Sequence, residues 1–347
     1  MTHDTSTLNR EWPVMAIVED AVRKEANVVS VEETTIPVVV ASKHMDGDSV
    51  AVLTLRRPDG NPFPAWTPGA HIDVIVTPAL TRQYSLCGDP ADQDVWQIAV
   101  LREPPPRGRG GSQYIHDSLE LGAQIQVRGP RNHFALKDAE QYLFIAGGIG
   151  ITPLKPMIDQ VAAAGAKWNL VYGGRSLSTM ALRADLARYG DHVTYVPEDE
   201  LGRIDLDSLL GAPVEGALVY CCGPGPLLDA VENKCSVWWP GSLQLERFTP
   251  RDSDRSAHNE VFEVELAQSG LTLTVPPHKS ILEILEDNGI PVLSSCRSGV
   301  CGTCETDVLE GTPEHRDSFL TAEERESNAT MMVCVSRCAG RRLLLDV

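Results

Sequence analysis

Three cysteines, Cys296, Cys301 and Cys304, fall at x4 and x2 spacing, with a fourth, Cys334, further along. This spacing constrains the chain more than any other feature, because it is the plant-type spacing of a [2Fe–2S] cluster. Four thiolates are needed to hold two irons, and three must come from one tight loop, here residues 294–304. Gly299 and Gly302 let that loop curl without Cβ clashes and let backbone N–H groups approach the sulfurs. A zinc site would prefer paired C-x-x-C units. Disulfides would require an oxidising compartment. Unliganded thiols would leave the crowding unexplained. The fourth ligand is Cys334 or Cys338, and Cys334, inside the apolar run 331–335, is preferred. Cys338 is then a spare thiol. Cys87, Cys221, Cys222 and Cys235 read as packing residues.

The 347 residues suffice for two or three domains. No apolar run is long enough to span a bilayer. Residues 1–9 are polar and lack a basic-then-apolar export pattern, so a cytoplasmic protein with no membrane role is expected. Nine cysteines is an odd count, which fits redox or metal chemistry better than bridges. The formal net charge of −18 argues against nucleic acid and for an electropositive protein partner.

Residues 1–33 form an acidic extension with a short helical pattern at 14–24. From Ile36 the text becomes β-rich. Runs at 36–41, 50–55, 71–76, 82–86 and 96–101, with an Asp46-Gly47-Asp48 turn, predict an antiparallel barrel. The rhythm changes near Gln141. Apolar runs at 142–146, 168–172 and 217–221, with helical patterns at 153–164 and 180–189, predict a parallel α/β sheet. The charged stretch 249–259 reads as a linker. Beyond it, 261–266 and 271–275 form a hairpin pattern around Gln268-Ser269-Gly270. Ser280 and Glu283 make a capping box for a helix that Gly289 would end.

Two further signatures carry chemistry. Arg82-Gln83-Tyr84-Ser85 lies on a predicted barrel strand. Arg82 can grip a phosphate in a bidentate fork, Tyr84 offers a flat face, and Ser85 can hydrogen-bond a flavin edge. The glycine-rich turn 107–112, ending Gly110-Gly111-Ser112, leads into a helical pattern at 113–119, as a phosphate site would. A plain loop with Ser112 as helix cap is the lesser alternative for that turn alone, and it weakens further because the strand motif at Arg82 precedes it on the same barrel. The second signature is Gly147-Gly148-Ile149-Gly150-Ile151-Thr152-Pro153, following an apolar strand and opening a helix. Thr152 can cap that helix and Pro153 suits its first turn. Pro153 stands where a Rossmann motif has its third glycine. Cys222-Gly223-Pro224 follows the strand 217–221, at the strand end where open α/β sheets bind ligands. Cys222 could approach a nicotinamide or be a buried structural thiol.

Taken in order, these signatures resemble the phthalate dioxygenase reductase family, within the ferredoxin-reductase superfamily, over about residues 36–347. The resemblance is densest in Gly299-Val300-Cys301-Gly302-Thr303-Cys304-Glu305, Glu314-His315-Arg316-Asp317 and Val333-Cys334-Val335-Ser336-Arg337. That part is also similar to the reductases of carnitine monooxygenase and vanillate demethylase. The resemblance implies a flavin barrel at 34–137, an NADH-binding α/β domain at 138–250, a linker at 251–260 and a β-grasp ferredoxin domain at 261–347. It implies FMN on Arg82, Tyr84, Ser85, Gly110, Gly111 and Ser112. It implies NADH on Gly148, Gly150, Thr152 and Pro153, with Cys222, Gly223 and Pro224 at the second loop. Glu246-Arg247-Phe248 resembles the segment whose aromatic ring lies against the flavin; Leu245 stands at its first position, so Phe248 is the candidate. The extension 1–33 departs from the family.

The implied activity is hydride transfer from NADH to FMN, then single electrons through the cluster to a Rieske-type oxygenase or a cytochrome P450. The cofactors carry the chemistry, so no catalytic acid, base or nucleophile is nominated. A monomer is expected. The rival class is a non-catalytic iron–sulfur redox sensor, against which the flavin and nucleotide motifs count. Arg175 is the only basic residue in the loop 173–179 and could meet either the pyrophosphate or a 2′-phosphate, so NADH is expected over NADPH.

Overall fold

The computed structural model describes residues 35–77, 80–105, 110–251 and 259–347. The helical pattern at 14–24, Arg107 to Arg109, and most of the linker expected at 249–259 lie outside the described residues.

Six strands build the first sheet: β1 (Ile36–Asp46), β2 (Val50–Arg56), β3 (His71–Thr77), β4 (Leu80–Ser85), β5 (Trp96–Leu101) and β6 (Gln124–Arg131). Their order is β4-β3-β6-β1-β2-β5, with antiparallel neighbours throughout. The edge strands meet through a Leu86–Ile98 bridge and a 2.9 Å hydrogen bond from Cys87 N to Gln97 O, which closes the barrel. β6 is not among the strands expected from sequence, because its alternating start, Gln-Ile-Gln-Val, runs into Arg128-Gly129-Pro130-Arg131. Helix α1 (Gly111–Asp117) follows β5.

β2 is buried on both faces, and the reason is its neighbours. Ala51, Leu53 and Leu55 join the barrel core around Trp96 and Ile98. Val50 and Val52 join a second core with Phe144, Leu154 and Tyr172. That second core belongs to a five-stranded parallel sheet of order β11-β10-β7-β8-β9. In chain order it runs β7 (Gln141–Gly147), α2 (Ile151–Ala163), β8 (Lys167–Gly174), α3 (Arg183–Leu186), β9 (Val193–Pro197), α4 (Glu198–Leu201), α5 (Leu206–Leu210), β10 (Ala217–Cys222), α6 (Gly225–Cys235) and β11 (Leu243–Glu246). The helix expected over 180–189 shrinks to the single turn of α3 and a 3-10 segment. Leu182 is left-handed at φ 59°, and Met180, Ala181 and Leu182 are buried in the core before a helix can start.

The third sheet has the order β13-β12-β18-β14-β16, beside a two-stranded β15-β17 ribbon. The elements are β12 (Phe262–Leu266), β13 (Thr272–Val275), α7 (Ile281–Asp287), β14 (Glu305–Glu310), β15 (Pro313–Glu314), α8 (Ala322–Ser327), β16 (Thr330–Met332), β17 (Arg337–Cys338) and β18 (Arg342–Leu345). β12 and β13 form the expected hairpin, and β18 returns parallel to β12. The Ser280–Glu283 box caps α7 reciprocally, at 3.2 Å and 2.8 Å, and Gly289 follows the helix at φ 72°. Ile281, Leu282 and Leu285 press that helix onto Val264, Met331 and Leu343.

Candidate functional site

One cleft of about 810 Å³ draws its walls from all three sheets. Arg82, Tyr84, Ser85 and Ser112 come from the barrel side, Ile149 and Thr152 from the start of α2, Glu246 and Phe248 from β11 and just beyond. Cys296, Val300 and Cys301 come from the cysteine loop.

The barrel wall is built by close approach. A Cβ on Gly111 would stand 2.5 Å from Arg82 Cγ, so the turn and the arginine share one space. Gly110 takes φ 84° and caps α1, which L side chains resist. Ser112 does not cap the helix; its Oγ accepts from Glu103 N at 3.1 Å and ties the turn to the end of β5. Arg82 Nη1 donates to Thr81 O at 2.7 Å. Tyr84 is half-buried, with its ring against the barrel core, and Ser85 is buried.

The nucleotide wall is two loops in contact. A Cβ on Gly150 would stand 2.1 Å from Cys222 O, and one on Gly223 would stand 3.0 Å from Gly147 Cα. The loops after β7 and β10, adjacent parallel strands, can therefore meet only because both are glycine. Gly150, not Thr152, occupies the cap position of α2; Thr152 is buried and its Oγ1 donates to Ile149 O at 3.0 Å. Pro153 is buried in the first turn, Gly148 sits at φ 54°, and Pro224 is exposed at the start of α6.

Cys222 is fully buried, and burial with Glu246 alongside raises its thiol well above the ordinary value. Glu246, its register partner on β11, is the group that reaches the cleft. Part of Glu246 is exposed, but its Oε2 is out of solvent and without a hydrogen-bond partner, and burial pushes its carboxyl up to about 8. No sequence pattern assigns Glu246 a role; only the β10–β11 register reveals its surroundings. Phe248 is 40% exposed and lines the cleft, while Leu245 packs into the α/β core.

The cysteine loop brings Cys296, Cys301, Cys304 and Cys334 together, all buried. Cys296 Sγ is within hydrogen-bond reach of Cys301 and Cys334, and Cys304 of Cys334. The four sulfurs thus form a chain of close pairs, Cys301 to Cys296 to Cys334 to Cys304, and four thiolates are the donor set that a [2Fe–2S] cluster takes. Ser298 and Val300 N–H groups point at Cys296 Sγ, and Thr303 Oγ1 lies 3.2 Å from Cys301 Sγ. Gly299 and Gly302 are left-handed, at φ 72° and 73°, and each is pressed from behind, by Asp317 and by the Phe319 ring. Cys338 stands apart, half-buried against Arg342 O.

Several residues here had no sequence signal. His71 is buried beside the loop; burial, then Arg131, pushes its imidazole down to about 3, so it stays neutral. His133 meets His71 at 5.8 Å and Phe319 edge-on at 5.1 Å. Asp317, the last residue of the Glu314-His315-Arg316-Asp317 segment, is fully buried and accepts from Phe319 N and Leu320 N. Glu314 is held by Arg316 at 2.7 Å. On β14 the exposed acids are Glu305, Asp307 and Glu310.

Comparison with known proteins agrees with this geometry. Residues 264–339 match the 2Fe-2S iron-sulfur cluster binding domain, and residues 144–233 match the oxidoreductase NAD-binding domain. The chain is 42% identical over 302 residues to a phenoxybenzoate dioxygenase subunit beta of Ectopseudomonas oleovorans, covering 86% of this chain and 93% of that one. The structure of phthalate dioxygenase reductase, described as modular for electron transfer from pyridine nucleotides to [2Fe–2S], matches with TM-score 0.69 and 34% identity, over 91% of this chain and 99% of that one. An intact type IV self-sufficient cytochrome P450 monooxygenase matches with TM-score 0.82 and 43% identity; 90% of this chain corresponds to 41% of that longer one. Among the described residues no helix is long and apolar enough to cross a membrane.

Proposed function

The chain belongs to the phthalate dioxygenase reductase family, and from that premise we propose that it is the reductase component of an oxygenase, moving electrons from NADH through FMN and a [2Fe–2S] cluster. The observation that carries this reading is the single cleft bordered by Arg82, Tyr84 and Ser85 on one side and Cys296 and Cys301 on another. FMN and the cluster would supply the conversion of a two-electron donor into single electrons.

The chain's own residues bind, orient and shield. Arg82 and the turn Gly110, Gly111 and Ser112 would hold the flavin phosphate, which a guanidinium fork and free N–H groups suit. Tyr84, Ser85 and Phe248 would frame the ring. Gly148, which has open space where a Cβ would stand, with Thr152 and Pro153 behind it and Gly223 and Pro224 on the second loop, would take the nucleotide, while Gly150 and the buried Cys222, packed on each other, would set the spacing of the two loops. Glu246, carrying its proton at neutral pH, adds no negative charge to the cleft. Cys296, Cys301, Cys304 and Cys334 would ligate the cluster, and their N–H donors would tune its potential.

The acceptor is a terminal oxygenase. A Rieske-type partner is our first assignment, by resemblance to the dioxygenase reductases; the P450 fusion supports a haem partner as the second. We assign the protein to the cytoplasm as a monomer, with the barrel at 34–137, the nucleotide domain at 138–250 and the ferredoxin domain at 261–347. The test is to purify the protein, measure its flavin, iron and sulfide, and follow NADH-driven reduction of cytochrome c. Equimolar flavin with two irons per chain and rapid reduction is the expected result. Bound cofactors with no NADH-driven turnover would favour the redox sensor instead.

A further inference from the structure

Asp73 lies on β3 with none of its surface exposed. Burying a carboxylate is costly unless it is paired and its oxygens are satisfied. Two arginines on the neighbouring β6 supply the pairing: Arg131 Nη2 is 2.7 Å from Oδ1, and Arg128 Nη2 is 3.2 Å from Oδ2. The third partner comes from another domain. Ser295 Oγ donates to Asp73 Oδ1 at 2.5 Å, across 222 positions of sequence. Ser295 is itself buried and directly precedes Cys296. Arg128 Nη2 also donates to Ser294 O at 3.1 Å. Two consecutive residues at the entrance of the cysteine loop are thus held by one ion-paired group in the barrel.

That group is wired to the flavin motif. Asp73 pairs in register with Gln83, the residue between Arg82 and Tyr84. Its near neighbour on the strand, His71, lines the cleft together with Cys296. The strand pair that presents the flavin motif is therefore the one that grips the cysteine loop.

We propose that Asp73 and Ser295 form a docking clamp that seats the cysteine loop on the flavin barrel, which makes them positioning residues for electron transfer from flavin to cluster. The inference rests on the functional reading above. Electron transfer falls steeply with separation, so the seating of the loop sets its rate. A hydrogen bond to a charged acceptor is strong and directional, and removing the hydroxyl leaves a buried carboxylate oxygen short of a partner. Two arginines against one carboxylate also leave positive charge beside a loop of thiolates, which favours the docked position.

The test uses the holoprotein with Ser295→Ala, Asp73→Asn, the double variant and Ser295→Thr. After mixing with NADH in a stopped-flow instrument, flavin reduction should keep its wild-type rate. Reduction of the cluster should slow roughly tenfold in Ser295→Ala, the scale of one lost charge-assisted bond. Deuterium uptake in the peptide 293–300 should quicken, while the visible and electron paramagnetic resonance spectra of the cluster stay unchanged. The double variant should match the single ones, and Ser295→Thr should restore the rate. Unchanged cluster reduction in Ser295→Ala, an altered cluster spectrum there, or additive effects in the double variant would overturn the clamp. Should Asp73→Asn fail to fold, Ser295→Ala and Ser295→Thr decide alone. Wild-type protein that passes no electrons from flavin to cluster would overturn the functional reading instead.

Discussion

Arg82 and Gly111 occupy one space: a Cβ on the glycine would stand 2.5 Å from the arginine's Cγ. The Gly111→Ala variant must therefore displace Arg82 from the turn it faces. Overpacking of this kind costs about 1–3 kcal/mol, so flavin affinity should fall on the order of tenfold. Fluorescence titration of the deflavinated protein measures this, and an unchanged Kd would separate Arg82 from flavin binding.

Cys301→Ser should remove the cluster and NADH-driven cytochrome c reduction together. Ferricyanide, which can take electrons directly from the flavin, should still be reduced. The cysteine loop belongs to its own sheet and core, so the barrel and the parallel sheet are expected to keep their fold when the cluster is lost. Loss of ferricyanide activity with the flavin still bound would show that the order of electron flow is wrong.

NADH should be preferred to NADPH. Arg175 is exposed in the loop after β8, but its carbonyl is hydrogen-bonded by Asp199 N, at the head of α4 with Glu198 and Glu200. Three acids beside that loop oppose a 2′-phosphate. A preference in kcat/KM on the order of tenfold is expected, equivalent to about 1.4 kcal/mol. A higher kcat/KM for NADPH would refute the assignment.

Glu246 makes stability depend on pH. Burial raises its carboxyl from an ordinary 4.5 to about 8 in the folded protein. Below the lower value both folded and unfolded chains hold the proton, and nothing differs. Between the two values the unfolded chain releases it and the folded chain does not, so stability falls as pH rises. The Gln variant, Glu246→Gln, should match wild type near pH 4.5 and exceed it in Tm by a margin that grows up to about pH 8. Parallel Tm curves would mean that the carboxylate is already ionised in the native state.

Much of this molecule is readable from local sequence. The glycine turns, the capping box at Ser280 and the cysteine spacing each act over a few residues. What escaped reading was long-range. Asp73 and Ser295 look ordinary until the barrel brings them together. β6, β9 and β11 are short or interrupted by polar residues, and their pairing comes from neighbours far along the chain. The pattern at 180–189 looks helical because Met180, Ala181 and Leu182 are apolar, yet they serve a core shared with β2. Asp317 reads as surface charge but works as an acceptor inside the turn that backs Gly299.

Transfer to the oxygenase should depend on salt. Residues 262–347 carry fourteen Asp and Glu against seven Lys and Arg, a net of seven negative charges. With Asp317 buried, Glu314 paired with Arg316 and Glu305 accepting from Thr330 Oγ1, the outward-facing candidates on β14 are Asp307 and Glu310. Reversing both should slow transfer at low salt and leave NADH-to-flavin reduction unchanged. The wild-type rate should fall as the Debye length shrinks from about 10 Å at 0.1 M to about 3 Å at 1 M. Stopped-flow rates across a salt series check this, and a flat series where encounter limits the rate would mark the acidity as solvation alone.

The cysteine loop has two faces, and they serve different traffic. Cys296 and Cys301 border the cleft, whereas Cys304 and Cys334 are sunk in the ferredoxin core beside β14. β14 itself contributes nothing to the lining of the cleft. A protein that contacted the chain through β14 alone would touch no residue that lines the cleft. Oxygenase and NADH would then not compete for the reductase, and saturating either should leave the KM of the other in place. On that arrangement the reductase would be recharged without letting go of its acceptor.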